Sequence, residues 1–251
     1  MAESGYTGGP MATSAALRSF DRRLFAFAAI AFTLVVLAGF ARTYYLKPYF
    51  GGPPLPSLMV HVHGLLMTIW VALFATQVWL ISSRQVRVHQ RLGYTGVGLG
   101  VLIVITGLVT AIRAGKYGSP SMPPGIPSSA FMVIPLFDLL MFSILFGAAV
   151  YHRKRPAAHK SLMLLTAINF VPPALARIPI TPLQNLGPLW FFGFPTAVIL
   201  ICLAIDWRRR GQLNTVFVAG SLLLIASYPA RLVLMGSAAW TQFALWLTSF
   251  V

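Results

Sequence analysis

Side chains able to do chemistry are few in this chain, and most sit inside long apolar runs. The polar ones within such runs are His61, His63, Gln77, Asp138, Asn169, Arg177 and Arg231, with His89, His152 and His159 at run ends. An ionisable group in hydrocarbon costs free energy and turns toward the interior of its bundle, so each marks a helix lock or a site. Imidazole binds metals and exchanges protons near neutral pH. Asp138 is the only carboxylate well inside a run and needs a partner there. The reading pairs it with His63 at similar depth, and Arg177 is the competitor.

His89 is followed by Gly93, Gly96, Gly100 and Gly107, which share one helical stripe with it. An imidazole beside a smooth face suits a flat porphyrin, which needs an axial ligand and small residues to approach the backbone. Small residues at this spacing equally serve close helix packing. His159 begins its run as His89 does, so two parallel helices present imidazoles at matching depth, and His152 is a third candidate there. The candidate cofactor is haem b, and this level could hold its iron between two imidazoles, His89 with either His159 or His152. The alternative is that all three histidines belong to basic loops against lipid headgroups. His61 and His63 point about 200° apart on a helix, so only one faces inward. Met67, Trp70, Phe74 and Gln77 continue the face of His63, which makes it the inward one. Asn169, followed by Pro172 and Pro173 and ending at Arg177, marks a helix that must break or kink, and broken membrane helices line cavities more often than lipid.

The elements positioning these residues are membrane spans. Of 251 residues, 57% are hydrophobic and only 9% charged, where an ordinary soluble domain carries about 25% charge. The expected fold class is all-α, a polytopic transmembrane bundle of about seven spans at 24–46, 57–82, 92–113, 130–151, 161–178, 188–206 and 214–234. Residues 1–20 read as a flexible tail, 21–235 as the bundle, and 236–251 as an interfacial amphipathic segment. Arg18, Arg22 and Arg23 precede Leu24–Phe40, which reads as an uncleaved first span. The net charge of +15 comes from short clusters between the runs. Such clusters set orientation and exclude a nucleic-acid surface. With seven spans, 13 of the 19 Lys and Arg fall on one side, including every cluster of three or more. That side is expected to be cytoplasmic and to hold the N-terminus. The single Cys202 rules out an internal disulfide and Cys-based haem attachment. Phosphate-binding Gly loops, Gly-x-Ser-x-Gly elbows and HExxH motifs are absent from the sequence.

At His89-Gln90-Arg91-Leu92-Gly93 and His159-Lys160-Ser161-Leu162-Met163, continuing to Arg177, the chain resembles a family of uncharacterised bacterial multi-pass proteins carrying a domain of unknown function. The resemblance covers roughly residues 57 to 180. In wider outline it is similar to transmembrane b-type cytochromes and ferric-reductase-like bundles. That resemblance implies His89 and His159 as one haem ligand pair, a bacterial inner-membrane location, and a quinone or other electron-transfer partner. Asp138 stands where a second pair would want a histidine, so one haem is expected rather than two. A small-solute or proton-coupled transporter using His63, Asp138, Asn169 and Arg177, and a non-catalytic membrane scaffold or assembly factor, are the alternatives.

Overall fold

The computed structural model describes residues 14–51, 57–119, 122 and 125–251, with the side chains of 14–20 outside that description. Most of the Pro- and Gly-rich segment 52–56 and parts of 118–127 lie outside it, as does the tail up to residue 13. No strand forms among the described residues. Helix α1 (Ser14–Phe40) runs into a π-helical turn at Ala41–Tyr45, and α2 (Leu58–Ser82) and α3 (Val86–Tyr117) come next. A short α4 (Ser128–Phe131) leads into α5 (Val133–Tyr151), then α6 (Pro156–Asn169) and α7 (Val171–Leu175). After α8 (Thr181–Gln184) come α9 (Phe194–Arg210), α10 (Thr215–Met235) and α11 (Ala238–Thr248). Helix α1 begins inside the segment expected as a flexible tail, because Ser14-Ala15-Ala16-Leu17-Arg18 offers good helix formers ahead of the apolar run.

Among the described residues, six helices are long and apolar enough to cross a bilayer: Asp21–Tyr45, Leu58–Ser82, Val86–Tyr117, Ser128–Lys154, Leu189–Arg210 and Thr215–Met235. The remaining expected span, 161–178, is the pair α6 and α7, interrupted at Phe170. The break has the cause read from the sequence. Pro172 and Pro173 have no N–H, so the carbonyls of Ile168 and Asn169 lose their helical donors. Phe170 N turns back three residues to Ala167 O at 3.1 Å.

The broken pair forms the axis of the bundle, with Leu164 to Phe170 buried without interruption. It lies antiparallel to α5 and runs alongside α1. Lys160, near its start, pairs with Asp21 near the start of α1. At its far end the backbone of Ala174 presses on Gly39, where a Cβ would overlap it. Trp70, Phe142, Phe146 and Phe170 pack ring on ring between α2, α5 and the break, with centroids 4.9 to 5.2 Å apart. This aromatic plug fills the middle of the bundle.

One end of the molecule collects the basic clusters. Asp21 accepts from Lys160 and from Arg210 at 3.0 Å, and Arg210 also binds Asp206 at 2.5 Å. The starts of α1 and α6 and the end of α9 are therefore level. Helix α11, 11 residues long, spans only about 16 Å at 1.5 Å per residue. It packs Trp240 and Ala244 inward, and the Trp240 Nε1 donates to Ser129 O at 3.0 Å.

The Gly39 contact yields a test of packing. Gly39→Val should lower the thermal midpoint in detergent by the equivalent of about 1–3 kcal/mol, the cost of overfilling a closed contact. Gly147→Ala, at a glycine with open space around it, should leave the midpoint close to wild type.

Candidate functional site

Two polar clusters sit inside the bundle, separated by the aromatic plug. The first is at the basic end. His89, in the first turn of α3, and His159, in the first turn of α6, face each other with ring centroids 6.3 Å apart and planes at 80°. His159 Nδ1 lies 2.8 Å from Ala149 O. A carbonyl only accepts, so Nδ1 carries the proton, and in the neutral ring Nε2 keeps its lone pair. His89 Nδ1 is buried without a hydrogen-bond partner, and so is Gln77 Oε1 on the neighbouring α2.

This donor set can be weighed against haem iron. A metal–imidazole bond is about 2 Å and the ring centroid lies roughly 1 Å beyond the nitrogen, so two rings sharing one metal stand about 6 Å apart. The observed spacing suits that. Among the described residues no group of three or more His, Cys, Asp or Glu converges on a metal-sized point. The spacing alone is therefore compatible with two imidazoles on one haem iron.

The glycine stripe has a different surrounding from an open porphyrin face. Gly93 looks toward Gln77, with 3.8 Å from a Cβ to the amide nitrogen. A Cβ on Gly96 would lie 3.3 Å from Leu73, and one on Gly100 would strike the Phe146 ring at 2.6 Å. Gly96 and Gly100 let α2 and α5 close on α3, the packing use of small residues. His152 stacks edge-on against Tyr151 at 5.0 Å and stands apart from the pair.

The second cluster lies beyond the plug. Asp138 is ion-paired with Arg231 of α10, which is 0% exposed. This corrects the expected pairing of Asp138 with His63, whose Nδ1 instead lies 3.1 Å from Thr106 Oγ1 on α3. A guanidinium keeps its charge and forks onto carboxylate oxygens, so where one reaches a buried Asp it displaces a neutral imidazole as partner. Arg231 is also flanked by the rings of Phe137, Phe192 and Tyr228 at 5.3 to 5.8 Å, and its Nη2 donates to Ser227 Oγ at 3.3 Å. Asn169 Nδ2, at the end of α6, donates to the backbone oxygen of Asp138 at 2.9 Å. Arg177 stacks on Phe40 at 4.7 Å and donates to Pro173 O at 2.7 Å, within electrostatic reach of Asp138. His61 is exposed while His63 is half-buried, as their opposed directions require. Arg231 was visible among the intramembrane polar residues. Its partnership was not, since 93 residues separate the pair.

The ion pair generates a prediction. Arg231→Leu leaves a buried carboxylate unpaired and should destabilise the protein by about 3–5 kcal/mol. The double variant Asp138→Leu, Arg231→Leu should recover most of that loss, read as thermal midpoints in one detergent. A double variant no more stable than Arg231→Leu alone would refute the pairing as the source of the cost. Comparison of the chain with protein-family models, with curated proteins and with solved structures found no match to any of them.

Proposed function

We propose that this chain is an integral membrane protein of a bacterial inner membrane which crosses seven times, keeps its N-terminus in the cytoplasm, and carries electrons through one b-type haem. The seventh crossing is the broken pair α6 and α7. From Pro156 to Leu175 it covers about 30 Å at 1.5 Å per residue, the thickness of a hydrocarbon core. Its run beside α1, from the level of Asp21 to that of Gly39, supports a full passage. With that passage counted, the basic clusters gather at the end that holds the start of α1, and a surplus of Lys and Arg marks the cytoplasmic face.

The observation carrying the electron-transfer reading is the pair His89 and His159 at 6.3 Å. Each residue's part comes from its surroundings. Ala149 O fixes the tautomer and tilt of His159 and leaves Nε2 as the ligand atom. His89 supplies the opposing imidazole from α3, and Gln77 borders it on the α2 side. Gly93 keeps the turn above His89 free of a side chain. A haem held there by His89 and His159 would supply one-electron chemistry. Arg84, Arg87, Arg91, Arg153, Lys154 and Arg155 rim this end. They favour an acidic electron-transfer partner by electrostatic steering, or a quinone arriving through the lipid.

The test is an oxidised-minus-reduced absorption spectrum of detergent-purified protein expressed with haem available. A reduced α-band is expected in wild type and in His152→Ala, and should vanish in His89→Ala and in His159→Ala. Colourless wild-type protein at good yield overturns the assignment.

A further inference from the structure

The polar cluster beyond the aromatic plug has more hydrogen-bonding capacity than its ion pair uses. Arg231 Nε, Tyr228 Oη and Asn169 Oδ1 are all buried without partners. Arg231 and Asn169 are 0% exposed and Tyr228 3%. Buried polar atoms in native proteins are otherwise nearly always satisfied, and three unmet around one carboxylate point to a ligand common to all. Backbone adds to the same demand. Pro229 lies within α10 two residues before Arg231 and has no N–H for the Ile225 carbonyl, as Pro172 and Pro173 have none for Ile168 and Asn169.

The chemistry of the unmet groups selects the ligand. Arg231 Nε offers a proton, Asn169 Oδ1 and the freed carbonyls accept one, and Tyr228 Oη does either. A metal cation matches the oxygens but is repelled by the Arg231 guanidinium. An anion matches Arg231 but meets Asp138 and the carbonyls. Water donates and accepts, and buried water characteristically makes about three such bonds.

We infer that the polar cluster around Asp138 is an internally hydrated proton-exchange site, where water bridges Arg231, Tyr228 and Asn169 and the Asp138 carboxylate takes up a proton from the Arg177 side. The charged and titratable groups facing Asp138 are Arg231 and Tyr228 from α10 and Arg177 beyond α7, with His63 of α2 across Gly107 and Leu139. Arg177 is half-buried and connects this level to the end of the bundle away from the basic clusters. In the step, a hydronium proton from that side forms an O–H bond on Asp138 and leaves water behind. Arg231 keeps its charge and its hydrogen bond to the carboxyl group, and the bridging water shares the added positive charge. Nothing in this step involves the histidine pair, and the site stands whether or not haem is bound.

The composition makes the test clean, because the chain has only four Asp and Glu residues in all. Infrared spectra of the full-length protein in lipid vesicles are recorded across a pH titration in H2O and in D2O. A protonated-carboxyl C=O band should grow in as pH falls and shift within seconds of transfer to D2O. The Asp138 component, read as the wild-type minus Asp138→Asn difference spectrum, should be present in wild type and retained in Asp206→Asn. Tyr228→Phe, which removes one unmet hydroxyl and keeps the ring packed on Phe192, guards against a misfolded Asp138→Asn. It should keep the band but move its frequency. The proposal is overturned by the absence of any such band down to the pH of unfolding. It is equally overturned by a band of unchanged intensity in Asp138→Asn, by an Asp138 component that fails to exchange with D2O, or by one unmoved in Tyr228→Phe.

Discussion

A charge inside hydrocarbon has no water to fall back on, and the bundle is arranged around that fact. Asp138 and Arg231 pair beyond the aromatic plug, and their pairing binds α5 to α10. Asn169 then ties the end of α6 to the same residue through the Asp138 carbonyl, so three helices meet at one point. The neighbouring chain is apolar and nearly featureless, offering dispersion contacts that many arrangements could satisfy. The ion pair and its amide select one arrangement among them, because any slip of register strands a charge.

The same economy separates the molecule into two polar levels. Along α6, His159 and Asn169 are ten residues apart, about 15 Å. Between these levels the rings of Trp70, Phe142, Phe146 and Phe170 close the interior. Each level carries polar atoms that the chain itself leaves unmet, and the aromatic layer carries only the indole nitrogen of Trp70. An interior so divided keeps water at one level from flooding the other, while the central helix links both as a single rigid element.

Much of this was legible from residue types. The apolar runs located the long helices to within a few residues, since a span needs about 20 apolar positions and little else can supply them. The prolines announced the break at Phe170, and the matching positions of His89 and His159 announced that two imidazoles share a level. The identity of the touching helices stayed hidden. His63 and Asp138 lie at similar depth and make a reasonable pair on paper. The packing instead brings α10 to α5, and nothing in the spacing of Arg231 records that neighbour. The glycine stripe was ambiguous for a related reason: a smooth helix face accommodates a flat ring or an interlocking Phe146 equally well, and only the position of α5 decides. The early start of α1 was hidden because small and polar residues form helix or coil according to the run they adjoin.

The separation of the central pair along the chain shapes biogenesis. Asp138 is synthesised 93 residues before Arg231, an interval of about 5–20 s at ordinary elongation rates. During it, α5 enters the bilayer with a carboxyl group and no counter-ion, at a cost of about 2.5–3.5 kcal/mol near mid-depth that its apolar neighbours must outweigh. The last long helix therefore delivers the guanidinium that completes the interior. A nascent chain stopped short of α10 holds an unneutralised acid within the membrane, a chemical mark by which quality control can tell an unfinished bundle from a finished one.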